Sequence, residues 1–332
     1  MTSTLPLAVT MGEPAGVGGE LTLKAWLKRG SSARPFFAID DPERLAALAE
    51  NLGLAVPVRE IARPEEASSL FATALPVLRV QLRVPANPGH PDPANAPATV
   101  QAIECAAKLA QSGAIAGFAT NPIQKKTLQD AGFEHPGHTE FLAELAGGAE
   151  VAMMLACPAL RVVPVTIHLS LAEAVRALTP AVIVRAGRIA AAGLKSLFGI
   201  DHPQLAVAAL NPHAGEQGTM GDDESRVIAP AIAALRADGI AVRGPAPADT
   251  LFHPAARATY DAALCMYHDQ ALIPIKTIDF SGGVNVTLGL PFVRTSPDHG
   301  TALDIAGTGR ADPASLIAAL AMADDMARRR GQ

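Results

Sequence analysis

Three histidines occupy the same local context, and their side chains could bind a metal ion. His168 ends the run VVPVTIHL, His213 follows AVAALNP, and His268 follows AALCMY. Each apolar run is typical of a buried strand, so each imidazole comes where a strand ends. Ligands of open α/β sheets bind outside the carboxyl ends of strands, and three imidazoles with an open position suit zinc and similar divalent ions. A hydrogen-bonded loop histidine is the alternative at each position, and the pattern leaves both interpretations open.

A second set of polar residues lies in GFEHPGHTEFLAEL. We predict that Thr139 caps the helix that follows, with His138 just before it. An imidazole, a hydroxyl and free backbone amides at a helix start would bind a phosphate or a carboxylate. A plain helix cap explains the same residues without a ligand. Lys125 and Lys126, just upstream, would either add positive charge or lie in solvent.

A third set of candidates follows His268. Lys276, Asn285 and Arg294 are spaced along what we interpret as short extended runs. Arginine binds phosphate through its planar fork and lysine through its point charge, so the three side chains could converge on an anion. Each cation taken alone is better explained as a surface residue. The loop HGTALDIAG before the last helix could lie close to a ligand, because its glycines have no side chain.

The elements that would position these residues alternate along the chain. Strand-like runs such as LPLAVTM and PFFAID are followed by the helical patterns LTLKAWLKRG and DPERLAALAENLG. This alternation predicts βαβ units, a mainly parallel sheet and the α/β fold class. A long helix is predicted from Pro180 to Phe198. No linker is visible, and we expect a first lobe of residues 1–145 and about 285–332 and a second lobe of residues 146–284.

Composition argues against several classes of protein. The 332 residues are 49% hydrophobic and 18% charged, with a net charge of −5 and no block of like charges, which disfavours nucleic acid and membrane surfaces as partners. The low charged fraction favours a surface hidden between subunits. Three cysteines, far apart in apolar contexts, predict neither a disulfide framework nor a cysteine metal site. Without a recognisable export signal, we expect a cytoplasmic protein.

Glycines near the N-terminus invite a nucleotide-binding interpretation, which the spacing does not support. The stretch TMGEPAGVGGE lies between a predicted strand and a predicted helix. It matches neither GxGxxG nor GxxxxGK[ST]. A Rossmann or P-loop site is therefore not predicted.

Several longer motifs resemble those of one enzyme family. The motifs GEPAGVGGE, TNPIQKKTLQDAGFEHPGHTEFLAEL, LNPHAGEQGTMGDDE, PADTLF, MYHDQALIPIK and GVNVTLGLPFVRTSPDHGTALDIAGTG are similar, in order over nearly the whole chain, to motifs of the PdxA family, the 4-hydroxythreonine-4-phosphate dehydrogenases. The resemblance implies an isocitrate/isopropylmalate dehydrogenase-like fold, with two α/β lobes around a central cleft. The first lobe would be the cofactor side and the second the metal and dimer side. Val17 and Gly19 depart from the usual GEPAGIGPE, from which we expect a slightly looser turn.

The resemblance also implies roles at the matching positions. One divalent ion (zinc, magnesium or cobalt) would be bound by His168, His213 and His268, the last acting in the partner's site of a homodimer. The small phosphorylated substrate would be bound by His138, Thr139, Lys276, Asn285 and Arg294. The adenosine end of NAD or NADP would be held by His299, Gly300, Thr301 and Asp304. The remaining candidates, with catalytic roles near the site, are Asp249 and Asp269.

The implied reaction is oxidation of 4-phosphooxy-L-threonine at its secondary alcohol by NAD or NADP. The β-keto acid product would lose CO2 to give 3-amino-2-oxopropyl phosphate, in the biosynthesis of pyridoxine 5′-phosphate (vitamin B6). Because related motifs overlap, two alternatives stay open: a paralogous dehydrogenase of a threonate or erythronate phosphate or of a cis-diol acid, and a non-catalytic phosphometabolite-binding protein. The second would be expected to lose a metal histidine or the HGTALDIAG loop, and this sequence keeps both.

Overall fold

The computed structural model describes residues 5–31 and 33–330, which form two compact units. Unit 1 consists of the described residues up to Ala149 and from Leu290 onward, and unit 2 of residues 150–289. The chain therefore enters unit 2 once and returns to unit 1. The borders expected from the sequence, after residue 145 and near residue 285, lie close to these.

The strands of the described chain are short and mostly buried. In chain order they are β1 Leu7–Thr10, β2 Phe36–Asp40, β3 Val58–Ile61, β4 Leu75–Arg79, β5 Gly117–Thr120, β6 Ala152–Cys157, β7 Leu160–Pro164, β8 Gln204–Ala208, β9 Ala241–Ala246, β10 Ala262–Cys265, β11 Val284–Leu288 and β12 Arg294–Pro297. Their Ala, Val, Leu and Ile content suits a sheet covered by helices on both faces.

The helices follow the strands in the alternation that the sequence predicts. They are α1 Gly18–Leu27, α2 Pro42–Asn51, α3 Ala67–Leu70, α4 Ala96–Gln111, α5 Lys125–Asp130, α6 His138–Leu145, α7 Leu171–Ala177, α8 Pro180–Phe198, α9 Ala229–Ala237, α10 Ala248–Leu251, α11 Pro254–Arg257, α12 His268–Ile278 and α13 Ala314–Arg330. Short 3₁₀ turns occur at Pro64–Glu66, Pro93–Asn95 and Leu303–Ile305, and a π turn at Glu224–Ile228.

Unit 1 is built on six parallel strands in the order β3-β4-β2-β1-β5-β12. Every residue of β1, β2 and β5 is buried, which is the pattern of a parallel sheet covered on both faces. Helices α4 and α13 pack against these central strands. The loops after β1, β5 and β12 consequently share the carboxyl edge of one sheet.

Unit 2 contains six strands in the order β11-β6-β7-β10-β8-β9. Strands β7, β10, β8 and β9 are parallel, whereas β6 is antiparallel to both β7 and β11. Helix α8 packs across this sheet and spans the predicted residues. Thr179 accepts a hydrogen bond from the Val182 amide at its start, and Gly199 ends it with a left-handed φ of 67°.

The α/β class with a mainly parallel sheet is confirmed. Among residues 5–31 and 33–330, no single helix is long and apolar enough to cross a membrane. The pair formed by α7 and α8, bent by 89° at the break between them, meets the length and composition criteria only when taken together.

Candidate metal and anion sites

Four neighbouring parallel strands of unit 2 are each followed by predicted site residues. These are His168 after β7, His268 and Asp269 after β10, His213 after β8, and Asp249 after β9. Because the strands are parallel, all five residues lie beyond the carboxyl edge of the same sheet, where α/β proteins bind ligands. The topology therefore places the predicted metal ligands and acids at one edge.

Two of the three histidines lie close together in this chain. The ring centroids of His168 and His268 are 6.3 Å apart. Nδ1 of His268 lies 2.8 Å from Oδ1 of Asp269. A carboxylate that accepts a hydrogen bond from Nδ1 fixes the tautomer that leaves Nε2 as the electron-pair donor, which is the usual support of a metal-binding histidine. Asp269 is thus placed to orient His268.

Two of the three histidines, His168 and His213, lie on strained backbone. His168 has a φ of 56° and His213 a φ of 51°. A left-handed conformation costs a non-glycine residue of the order of 1–3 kcal/mol and tends to occur at functional sites. In the described chain, the non-glycine residues with positive φ lie only in three segments singled out from the sequence: His168, His213, Ala214, Glu216, Gln217 and Ala302.

The donor chemistry fits a divalent cation. Three imidazoles, one of them held by a carboxylate, suit zinc and other borderline ions. Within residues 5–31 and 33–330, however, no group of three or more His, Cys, Asp or Glu side chains is arranged as a complete metal site. The described chain brings His168 and His268 together, while His213 is exposed on its own turn. A full set needs another donor or a movement of that turn.

Helix α6 of unit 1 begins two residues earlier than the sequence predicts. Gly137, not Thr139, is the N-cap residue, and the helix makes no side-chain capping hydrogen bond. The predicted cap at Thr139 is therefore wrong, because this residue already lies inside the first turn. The amides of that turn have no side-chain cap, and His138 is the first helical residue.

Arg294, at the start of β12, is a buried cation. Its side chain belongs to a residue that is only 2% exposed, and Nη2 donates a hydrogen bond to Oγ1 of Thr120 over 2.6 Å. Burial lowers the pKa of Arg294 to about 10, which the charge of Glu140 partly offsets. The guanidinium remains charged at neutral pH, and a buried charge is costly unless a counter-charge or hydrogen bonds compensate it.

The ring of His138 is neutral and lies close to the positive charge of Arg294. Burial lowers its pKa well below the ordinary value, and the charges of Arg294 and Lys125 lower it further. Its Nε2 atom is buried and has no hydrogen-bond partner in the described part of the chain. Lys125 also lies near the start of α6, since a Cβ on Gly137 would be 3.8 Å from its Nζ. The cluster is complementary to an anion.

The remaining substrate candidates lie in unit 2. Lys276 is in the last turn of α12 and not in an extended run, so the predicted conformation there is wrong. The apolar periodicity of QALIPIK continues the helix despite Pro274. Asn285 lies in β11 as expected, and its Oδ1 atom is buried without a hydrogen-bond partner among the residues that the structure describes. An uncompensated buried amide oxygen is a candidate for contact with a ligand.

The predicted cofactor loop, His299 to Asp304, follows β12. The Val17 amide donates to the Thr301 carbonyl over 3.1 Å, and a Cβ on Gly16 would lie 3.0 Å from that oxygen, so a larger residue there would require the loop to shift. The loop is thus in contact with the GEPAG turn. Close by in unit 1 is a cavity of about 410 Å³ whose lining includes Pro14, Gly16, Leu48, Arg83, Pro88 and Gly307.

Two residues that sequence reasoning missed hold the end of this loop. Glu20 is buried, and its Oε1 atom accepts hydrogen bonds from the Ala311 amide over 3.0 Å and from Nζ of Lys24 over 2.7 Å. Lys24 donates in turn to the carbonyl oxygens of Gly309 and Ala311. The i, i+4 spacing of Glu20 and Lys24 is visible in the sequence, but their partner almost 300 residues away is not.

Comparison with known proteins identifies the family of this chain. The family model described as "Pyridoxal phosphate biosynthetic protein PdxA" matches residues 31–323. This chain belongs to the PdxA family. A relative from Methylorubrum populi, named 4-hydroxythreonine-4-phosphate dehydrogenase, is 56% identical over 332 residues, covering 98% of this chain and 95% of the relative.

Two solved structures of related dehydrogenases have the same fold as this chain. The 4-hydroxythreonine-4-phosphate dehydrogenase from Klebsiella pneumoniae has a TM-score of 0.89 at 38% identity, with 97% of this chain and 99% of that one covered. A terephthalate 1,2-cis-dihydrodiol dehydrogenase from Burkholderia xenovorans has a TM-score of 0.63 at 29% identity, over 94% of this chain and 95% of that one. This PdxA protein therefore shares the fold of the dehydrogenases that it resembles.

Proposed function

We propose that this PdxA protein is a metal-dependent dehydrogenase that uses NAD or NADP to oxidise 4-phosphooxy-L-threonine at its secondary alcohol. The β-keto acid would decarboxylate to 3-amino-2-oxopropyl phosphate, in pyridoxine 5′-phosphate biosynthesis. The observation that carries the proposal is the buried positive cluster at the start of α6, which suits a phosphate group. The names of the relatives support the same activity.

The substrate would be bound by His138, Thr139, Lys276, Asn285 and Arg294. Arg294 supplies a planar set of donors that matches phosphate oxygens, and the first-turn amides of α6 add donors without charge. The neutral His138 ring can donate or accept through Nε2. Binding the phosphate remote from the reacting carbon would hold the substrate in a fixed orientation.

The divalent ion, whether zinc, magnesium or cobalt, would be held by His168, His213 and His268. When bound, it supplies Lewis-acid polarisation of the substrate hydroxyl. Asp269 holds the ring of His268 in one orientation through Nδ1. Asp249 is exposed at the carboxyl edge of the same sheet and is our candidate for accepting the hydroxyl proton.

The adenosine end of NAD or NADP would lie on the loop containing His299, Gly300, Thr301 and Asp304. The nearby cavity of about 410 Å³ supports this, because it is bordered by Gly307 of the same motif and is lined mainly by apolar side chains that could pack on a flat base. The contact between Val17 and Thr301 keeps the loop against the GEPAG turn.

We propose a homodimer in which His268 completes the metal site of the partner. Of the eight large hydrophobic residues that are exposed in the described chain, seven lie in unit 2: Leu169, Leu171, Val175, Met220, Ile273, Ile278 and Phe280. Exposed apolar side chains in such number favour a protein partner. Several of them neighbour the candidate histidines in sequence, which agrees with a shared site.

We propose a cytoplasmic location from the state of the cysteines. The three cysteines are free thiols. Free thiols are the usual state in a reducing compartment.

A second function is favoured by one comparison. The structural relative named for a terephthalate cis-dihydrodiol supports the alternative of a dehydrogenase for another diol acid. Such a substrate has no phosphate, and a carboxylate would have to bind the positive cluster instead.

A substrate panel with and without chelator tests the proposal. We expect rapid reduction of NAD⁺ or NADP⁺ with 4-phosphooxy-L-threonine in the presence of a divalent ion. The reaction would be measured by the absorbance of the reduced nicotinamide. Chelation or His213→Ala should abolish it. Turnover of a threonate or erythronate phosphate or of a cis-diol acid, with none of 4-phosphooxy-L-threonine, would reject the substrate and keep the reaction class. If none of these compounds is turned over, the proposal that this protein is a dehydrogenase of such substrates is rejected.

A further inference from the structure

The segment that carries His213 has an unusual backbone. Between Pro212 and Gly218, the five residues from His213 to Gln217 all have φ between 41° and 73°. Only one of the five is glycine. A left-handed run of this kind brings each Cβ close to a carbonyl oxygen, so it does not persist without support from the surrounding structure.

A buried carboxylate provides that support. Glu224 is only 6% exposed. Its Oε1 atom accepts hydrogen bonds from the Leu210 amide over 2.9 Å and the Asn211 amide over 2.7 Å. Its Oε2 atom accepts one from Nδ2 of Asn211 over 3.0 Å. Glu224 therefore fixes the two residues through which the chain passes from β8 into the left-handed turn.

Two glycines show how tightly the turn surrounds this carboxylate. A Cβ on Gly215 would lie 2.6 Å from Oε2 of Glu224, and a Cβ on Gly221 would lie 2.6 Å from Nδ2 of Asn211. Glu224 is also the first residue of the π turn Glu224–Ile228, a conformation that is rare and frequent at functional sites. The strained turn and the irregular helix start thus meet at one side chain.

We propose that Glu224 is a positioning residue of the candidate metal centre, and that its carboxylate holds the left-handed turn that presents His213. The inference rests on the proposed function, in which His213 binds a divalent ion. Glu224 acts through the backbone of residues 210 and 211. Supporting partners of metal ligands commonly alter metal affinity by about 10- to 100-fold when they are removed.

The test compares two neighbouring substitutions that each remove one negative charge. Glu224→Gln keeps the size of the side chain but turns an NH2 group toward Nδ2 of Asn211, which is also a donor. Asp223→Asn is the matched control, because Oδ2 of Asp223 contacts the same Nδ2 atom over 3.1 Å. Neither variant changes His213.

Zinc and cobalt binding would be measured by calorimetry on the purified protein, without any substrate. We expect Glu224→Gln to weaken binding about 10-fold or more, with activity recovered at excess metal, and Asp223→Asn to bind as the wild type does. Equal affinities of Glu224→Gln and wild type would overturn the inference. An equal loss of metal affinity in both variants would overturn it too, because the effect would then come from the removed negative charge and not from the hydrogen bonds of Glu224.

Hydrogen exchange of residues 210–218 is a second readout that needs no metal. We expect faster exchange in this segment of Glu224→Gln and unchanged exchange in β10 and α8. Unchanged exchange in the segment would overturn the inference. If Glu224→Gln does not fold, Glu224→Asp, whose shorter carboxylate cannot reach both backbone amides, takes its place with the same two outcomes. A wild-type protein that binds no metal would reject the role of His213, and the exchange result would still decide whether Glu224 holds the turn.

Discussion

The two candidate ligand sites differ in how far one chain completes them. In unit 1, the candidate anion site has a buried guanidinium on β12 that is hydrogen-bonded to Thr120 of β5, a buried imidazole nitrogen and a helix start without a side-chain cap. In unit 2, the candidate metal ligands are exposed or half-exposed, and two of them have strained backbone. The candidate anion-binding groups are largely buried and fixed, whereas the candidate metal ligands do not form a complete set within the described residues.

This difference has a physical reason. Phosphate is bound by donors whose positions must be fixed in advance, because a mobile cation would lose entropy on binding. A metal ion contributes its own binding free energy to ordering its ligands, so strained turns and a second chain are tolerable. We therefore expect the two sites to respond differently to the same perturbations.

Removal of metal should have the largest effect and should separate the sites completely. Chelation should abolish dehydrogenase activity, because in the proposed function a bound divalent ion would polarise the substrate hydroxyl. Binding of inorganic phosphate, measured by calorimetry, should stay within about twofold of the untreated protein. Phosphate binding that disappears with the metal would show that the anion site is not complete by itself.

Loss of the buried guanidinium should have the next largest effect. We expect Arg294→Ala to lower kcat/KM by about 100-fold, equivalent to about 2.7 kcal/mol, since a charge-assisted contact to the substrate is lost. Lys126→Ala is the control, because Lys126 is exposed and paired with Asp130. Steady-state kinetics of both variants check this, and a control variant as impaired as Arg294→Ala would contradict the assignment.

The carboxylate beside His268 should matter less. Asp269→Ala removes the acceptor at Nδ1, and we expect metal affinity to fall about 10-fold while phosphate binding is unchanged. Calorimetric titrations with zinc and with phosphate measure the two effects in one preparation. Unchanged metal affinity would mean that Asp269 does not orient the ring.

The smallest expected effect is on stability as a function of pH. The pKa of folded His138 is lowered mainly by burial, so between that value and the unfolded value of about 6.5 the unfolded chain binds one more proton. Stability should therefore rise with pH through this window and fall as the pH drops below about 6.5. Denaturant titrations should show a weaker pH dependence in His138→Gln.

Phosphate supplies the second arm of that experiment. A bound anion would raise the pKa of His138 and so reduce the difference between the folded and the unfolded protein. We expect saturating phosphate to flatten the pH dependence of the wild type and to leave that of His138→Gln unaltered. If the stability of the wild type depends on pH equally with and without phosphate, His138 is not part of the anion site.

Sequence patterns predicted the features that depend on neighbouring residues. Apolar runs followed by His168, His213 and His268 located three strand ends, and periodicity gave the bounds of α8. The cap at Thr139 and the extended run at Lys276 were wrong, because helix starts and the tolerance of an internal proline depend on tertiary packing. No local pattern marks residues whose partners are distant.

Glu20 and Glu224 illustrate that limit. Each is a buried carboxylate whose structural role depends on the backbone amides that the fold brings to it. Glu20 accepts from the amide of Ala311, and Glu224 accepts from the amides of Leu210 and Asn211. In the sequence, both resemble the acidic residues that begin many helices. The positive φ values of His168 and His213 are likewise consequences of the surrounding structure.

The most direct test of the central claim compares 4-phosphooxy-L-threonine with 4-hydroxy-L-threonine, the same compound without phosphate, in the metal-loaded enzyme. The account predicts a kcat/KM at least about 100-fold higher for the phosphorylated compound, and a difference that largely disappears in Arg294→Ala. Equal turnover of both compounds by the wild-type enzyme would contradict a phosphate-binding role for the buried positive cluster.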